Sequence, residues 1–234
     1  HRALRRAAAG HGGQLLALSP WTLQARSEEA SRQALAEVLQ LPVLVFTSPA
    51  AVRAATALQP LQTLPGQHWL AVGAGTAAAL RRAGVAAPQA PRRMDSEGLL
   101  DLPALAAAPS VGLVTAPGGR GMLTPALQAR GSTVLRADVY ERVPLALADA
   151  DIQRLLAMRL PAALALSSGE ALQQVLAQLP APAVAILRGT LAVAASERLA
   201  TLARSLGWER VVVAGSPRPA ALARTAAQAL AHAA

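Results

Sequence analysis

The sequence predicts an α/β protein made of two parallel-sheet domains, related by internal duplication and facing one another across a cleft. Two observations carry this. Short apolar runs alternate with helical patterns of about ten residues, the signature of parallel α/β layers. The turns after those runs recur at one spacing: Thr47 and Ser167, Thr76 and Ser196, and Ser96 and Ser216 each stand 120 positions apart. Any α/β protein carries hydroxyl caps at such turns, so the argument for duplication rests on the repeated offset. Open α/β sheets bind ligands at the carboxyl ends of their strands, where these turns lie.

The elements follow in order. A helix ends at 3–9 and is closed by Gly10, Gly12 and Gly13; a short strand at 14–18 is broken by Ser19 and Pro20. Ser27, followed by Glu28 and Glu29, caps a helix to residue 40. The apolar run 43–46 reads as a buried parallel strand. It stops at Thr47 and Ser48, placed to cap the next helix, with Pro49 tolerated in its first turn. A strand at 69–72 leads through Gly73, Ala74, Gly75 and Thr76 into a helix closed at Gly84. Asp95, Ser96 and Glu97 cap a helix through 105. A strand at 111–115, a Gly-rich turn at 116–121 and a helix at 122–130 follow, then one long strand over 133–143 containing Tyr140.

The second half repeats the pattern. A helix at 149–158 leads into a strand at 162–166, the turn Ser167-Ser168-Gly169 and a helix to 179. A short helix follows Pro180-Ala181-Pro182, and a strand at 191–195 ends at Ser196. A helix from Glu197 closes at Gly207; a strand at 211–214, the turn Gly215-Ser216-Pro217 and a last helix finish the chain.

Composition excludes several classes. With no cysteine there is neither a disulfide nor a thiolate metal site, which suits a reducing cytosol, so a cytoplasmic protein is expected. No apolar run approaches the roughly 18–20 residues that span a bilayer, so no membrane partner is expected. Residues 1–13 are basic and Ala-rich without the apolar core of a signal peptide, and the first residue is His1, as in a sequence starting inside a longer reading frame. The net charge is +9, and all 22 basic residues are Arg. Two readings stand: the coding bias of a GC-rich genome, or an acidic partner. Nucleic acid is not expected, because the Arg residues are scattered and one Phe, one Tyr and three Trp make few stacking platforms. His1, His11, His68 and His232 lack metal-ligand spacing, and no nucleophile elbow is present.

Helix N-termini with free backbone N–H groups and Gly-exposed amides suit a ligand bearing several carboxylates. Two rival functions fit the same features. One is a nucleotide-dependent α/β enzyme, since Gly73-Ala74-Gly75-Thr76-Ala77-Ala78 satisfies G-x-G-x-x-A with Asp95 further on. Against it, Asp95 follows Pro91-Arg92-Arg93-Met94 and does not end an apolar strand. The other is a non-catalytic, two-lobed binder of a small anion.

The runs Phe46-Thr47-Ser48-Pro49-Ala50-Ala51-Val52, Val72-Gly73-Ala74-Gly75-Thr76-Ala77 and Asp95-Ser96-Glu97-Gly98-Leu99-Leu100 come in one order with Gly118-Gly119-Arg120-Gly121-Met122-Leu123 and Val139-Tyr140-Glu141-Arg142-Val143. Leu166-Ser167-Ser168-Gly169, Ala195-Ser196-Glu197-Arg198-Leu199-Ala200 and Leu206-Gly207-Trp208 continue them. In order and spacing, over nearly the whole chain, this resembles uroporphyrinogen-III synthase.

The resemblance implies a monomeric, cofactor-free enzyme of tetrapyrrole biosynthesis. It would cyclise linear hydroxymethylbilane, eliminating water and inverting the last pyrrole ring. The implied fold is two α/β domains joined by a two-segment strand-like linker, one domain combining 1–19 with 144–234 and the other spanning 20–143. The family also opens with a strand and an Arg-containing turn that this sequence starts too late to include. By resemblance Tyr140 helps the hydroxyl leave as water; a half-buried strand tyrosine is the plain alternative. Substrate contacts are expected from Thr47, Ser48, Gly73, Thr76, Gly118, Gly119, Ser167, Ser168, Gly169 and Ser196, of which the Thr47, Ser48, Ser167, Ser168 and Ser196 hydroxyls are helix caps first. Arg120 is either a partner for a substrate carboxylate or an exposed first-turn arginine.

Overall fold

Short buried strands and Ala/Leu-rich helices alternate along the chain in a computed structural model that describes residues 1–91, 96–118 and 122–232. The elements begin with α1 (Arg2–Ala9), β1 (Trp21–Ala25), α2 (Glu29–Val38), β2 (Val43–Phe46), α3 (Pro49–Leu58), β3 (His68–Ala71) and α4 (Ala74–Arg82). They continue with α5 (Ser96–Leu100), α6 (Pro103–Ala106), β4 (Ser110–Thr115), α7 (Leu123–Ala129), β5 (Thr133–Asp138) and β6 (Tyr140–Pro144). The last are α8 (Asp149–Leu156), β7 (Ala163–Leu166), α9 (Gly169–Gln178), α10 (Ala181–Arg188), β8 (Leu191–Ala194), α11 (Glu197–Ser205), β9 (Val211–Val213) and α12 (Pro219–Ala231).

The chain divides into two units, one of 1–22 with 144–234 and one of Leu23–Val143. Both boundaries fall inside β1 and β6, which pair with each other. Residues 20–22 group with the first unit and not with the middle one; Pro20 accepts a hydrogen bond from the Leu145 N–H at 2.9 Å.

In the middle unit four strands run parallel in the order β3-β2-β4-β5. β2 has neighbours on both sides and helices on both faces, so every residue of Val43-Leu44-Val45-Phe46 is buried. Its side chains alternate between two cores. Leu44 and Phe46 pack with α2, α3 and α4 residues such as Leu35, Val52 and Leu80. Val43 and Val45 pack with Leu99, Leu105 and Leu127 from α5, α6 and α7. The connection after β2 therefore leaves on one face and the connection after β4 on the other. The sheet's topological switch point lies between these two strands. Gly112 on β4 lets α2 approach closely, since a Cβ there would stand 2.7 Å from Val38 Cγ1 and 2.9 Å from the Val38 carbonyl oxygen.

The other unit holds the parallel sheet β7-β8-β9. One face carries Leu166, Ala192 and Ala194 against Leu172, Val175, Leu199 and Trp208. The opposite face carries Leu191 and Val193 against Leu222 of α12 and Leu4 of α1.

Several elements depart from the sequence expectation. Residues 14–18 are not a strand; Leu16 and Leu18 pack against the core without a ladder partner, and the strand forms later, at β1. The helix expected from Ser27 has Glu28 as its N-cap. The helix expected through 105 is two short ones, α5 and α6, the second opened by Pro103, whose missing N–H is tolerated in a first turn. The long strand 133–143 breaks at Val139. There the chain leaves one ladder for another: Val139 N–H donates to Thr115 and its carbonyl accepts from Arg26, both at 3.0 Å.

The repeat spacing also needs correction. Ser48 and Ser168, 120 apart, are the N-caps of α3 and α9, and each accepts from the amide three residues on. At the second turn the N-caps are Gly73 for α4 and Ser196 for α11, 123 apart, so Thr76 is not the counterpart of Ser196. Ser216 is not the cap of α12; Arg218 is.

Candidate active site

The carboxyl ends of β3, β2, β4 and β5 form one rim, and most of the expected residues of the middle unit stand on it. Thr47 follows β2 and is fastened to β4. Its N–H donates to the Val114 carbonyl at 3.2 Å, and its Oγ1 lies 2.9 Å from Thr115 Oγ1 across the switch point. Ser48 holds an extended backbone, and its Oγ accepts the Ala51 N–H at 3.0 Å, satisfying one of the free donors at the start of α3. Pro49 behind it fits the first helical turn, where its missing N–H has no partner to lose.

Tyr140 opens β6 immediately after the Val139 crossover. It is 7% exposed and packs in the core beside α3 and α4. Its hydroxyl lies 3.1 Å from Ser48 Oγ. Ser48 Oγ has already taken the Ala51 N–H. When it donates its own proton to the phenol oxygen, the phenol proton is left for a third group. Either hydroxyl of the pair can be the donor.

Gly73 is the half-buried N-cap of α4 with an extended backbone. Thr76 is not a rim group: it is buried at 4% exposure within the first turn of α4. Helix α4 begins at Ala74, so the expected turn 73–76 is mostly helix, because Thr76 and Ala77 N–H already bond the Gly73 carbonyl. Gly118 is exposed in the turn after β4 with φ of 75°, a left-handed conformation that favours glycine. Gly119, Arg120 and Asp95 lie outside the described residues.

The second unit has its own rim at the ends of β7, β8 and β9. Ser167 is exposed, Ser168 caps α9 by accepting the Ala171 N–H at 3.2 Å, and Gly169 is buried as its first residue. Ser196 caps α11 by backbone position alone, with no hydrogen bond from its side chain to the helix.

Sequence reasoning missed Thr115 and Arg26. Thr115 had a signal, a hydroxyl ending an apolar strand just as Thr47 does. Arg26 had none, because β1 itself was not foreseen. Among the described residues no three His, Asp or Glu side chains are grouped to hold a metal ion. No described helix is long and apolar enough to cross a membrane.

Two parallel-sheet units, with hydroxyl caps and one phenol at the strand ends, define a two-unit α/β protein. Residues 2–224 match the family model described as Uroporphyrinogen-III synthase HemD, and the chain belongs to the uroporphyrinogen-III synthase family of cyclising lyases in heme biosynthesis. Solved structures agree in fold. A mutant uroporphyrinogen III synthase from the extremely thermophilic bacterium Thermus thermophilus matches with a TM-score of 0.64 at 22% identity, over 98% of this chain and 94% of that one. The wild-type Thermus protein gives 0.51 at 22% identity, over 99% and 94%. A uroporphyrinogen-III synthetase from Helicobacter pylori gives 0.55 at 16% identity, over 94% and 92%.

Proposed function

We propose that this chain closes linear hydroxymethylbilane to uroporphyrinogen III with Tyr140 assisting the departure of water. The C–O bond of the hydroxymethyl group breaks, and its oxygen takes up a proton and leaves as water. The freed carbon bonds to the ring D α-carbon that carries the bridge, that bridge bond breaks and re-forms at the ring's free α-carbon, and the proton of the free α-carbon is lost. The pyrrole nitrogen supplies the electron pair that expels the hydroxyl. The phenol of Tyr140 donates a hydrogen bond or the proton to the leaving oxygen. Thr47, Ser48, Gly73 and Gly118 from one rim and Ser167, Ser168, Gly169 and Ser196 from the other, with Gly119 and Arg120, hold the carboxylates. The amides at the starts of α3 and α9 supply positive dipole ends. Buried Thr76 contributes only by fixing α4. In this reading the enzyme is a cytoplasmic monomer, uses no cofactor and binds no nucleic acid.

The observation that carries the reading is the Tyr140–Ser48 hydrogen bond, 3.1 Å long, at the carboxyl rim of a chain whose family performs this cyclisation. The nucleotide reading loses support at its glycines. Gly73 has an ordinary extended φ of −166°, so its conformation does not require glycine, and a Cβ on Gly75 would meet only Pro49 Cγ at 3.8 Å, an ordinary contact. Supplying hydroxymethylbilane and resolving the product isomers tests the proposal. Predominant uroporphyrinogen III is expected; unchanged bilane bound to the protein would make it a small-anion binder instead.

A further inference from the structure

Arg26 stands at the end of a hydrogen-bonded path along the rim of the middle unit. Thr47 Oγ1 meets Thr115 Oγ1 at 2.9 Å, the Thr115 carbonyl accepts from Val139 N–H, and the Val139 carbonyl accepts from Arg26 N–H, each of the last two at 3.0 Å. The residue after Val139 is Tyr140. Arg26 is therefore fixed one ladder step beyond Thr115 and beside the strand that presents the phenol.

Arg26 Nε is buried with no hydrogen-bond partner, while the side chain as a whole keeps 32% exposure. The nearest carboxylate, Glu28, holds an oxygen 3.9 Å from Nε, too far for a hydrogen bond, and its other oxygen accepts from Ser31 Oγ at 3.3 Å. The carboxylate at the end of β5, Asp138, is already taken by Arg136 at 2.9 Å. A buried guanidinium N–H without an acceptor is unfavourable. A planar guanidinium fork matches a carboxylate.

We infer that Arg26 is a substrate-binding residue whose partly exposed guanidinium receives one carboxylate of the linear tetrapyrrole. This rests on the polycarboxylate substrate proposed above. Bound there, the carboxylate would anchor the substrate next to β6, the strand that carries Tyr140, so Arg26 would govern affinity and ring placement, not proton transfer.

The test compares Arg26→Gln, Arg26→Lys and Glu28→Gln in the full chain, each with its melting temperature. Two readouts serve: KM for hydroxymethylbilane, and Kd for uroporphyrin as a non-reacting polycarboxylate probe. Arg26→Gln is expected to raise both by about tenfold, the loss of one charge-assisted contact. Arg26→Lys should recover part of that, and Glu28→Gln should leave both at wild-type values. Unchanged KM and Kd in Arg26→Gln would overturn the inference, as would an equal loss in Glu28→Gln, which would make Arg26 a partner of Glu28 alone. Wild-type protein that binds uroporphyrin without turning over the bilane would sink the synthase reading only. The difference in Kd between wild type and Arg26→Gln would then still decide for or against Arg26.

Discussion

Tyr140 and Ser48 are joined through their hydroxyls at 3.1 Å although 92 residues separate them, and Ser48 is at the same time the cap of α3. One contact therefore couples the start of a helix to the candidate phenol. The proposed reaction inverts one ring, so holding the rings in one geometry is a large part of the enzyme's task. Tyr140→Phe keeps the ring that packs in the core and removes only the hydroxyl. We expect formation of the inverted isomer to slow by roughly 100-fold or less, the range of general acid assistance. Initial rates and isomer ratios, with melting temperature alongside, measure it. Wild-type rates with a lowered melting point would assign Tyr140 a structural role.

The two hydroxyl caps of the second unit should differ in their worth. Ser168 accepts an amide hydrogen bond and Ser196 does not. Ser168→Ala should destabilise the fold by about 1 kcal/mol, and Ser196→Ala clearly less, as read from chemical denaturation. Equal losses would contradict the difference in capping. If Ser196 contacts substrate, its variant should instead show a raised KM at near-normal stability.

Gly112 should resist substitution. An added methyl would press on Val38 Cγ1 at 2.7 Å, Leu44 Cδ2 at 2.9 Å and the Val38 carbonyl at 2.9 Å. The carbonyl belongs to helix backbone and yields little. Gly112→Ala is expected to cost about 1–3 kcal/mol by overpacking, seen as a lower denaturation midpoint. A neutral effect would mean that α2 shifts freely on the sheet.

Binding should depend on salt. A polycarboxylate held by arginine and backbone N–H groups loses affinity as the screening length falls, from about 10 Å at 0.1 M to about 3 Å at 1 M. Titration of uroporphyrin at these two ionic strengths should show severalfold weaker binding at the higher one. Unchanged affinity would make the +9 charge a matter of composition.

What the sequence determined by itself is local. Val43-Leu44-Val45-Phe46 ending in Thr47-Ser48-Pro49 specifies a buried strand, a cap and a helix start within seven residues, and the structure has all three. Leu164-Ala165-Leu166 with Ser168 likewise gives a strand and a cap, although only Leu166 of that strand is fully buried. Apolar period, capping chemistry and proline tolerance act between near neighbours, so they are written in the order of the chain. The tertiary structure decided the rest. Strand order β3-β2-β4-β5 places the switch point between two strands that have several helices and another strand between them in sequence, and only there do Thr47 and Thr115, 68 residues apart, meet. Distant partners also hid the break at Val139, because a run that looks like one strand changes partners when Thr115 and Arg26 take its two backbone groups. Residues 14–18 had the composition of a strand and no neighbour to pair with, while Trp21–Ala25 had β6. A ladder needs a second strand brought from far along the chain, and no local pattern states which one arrives.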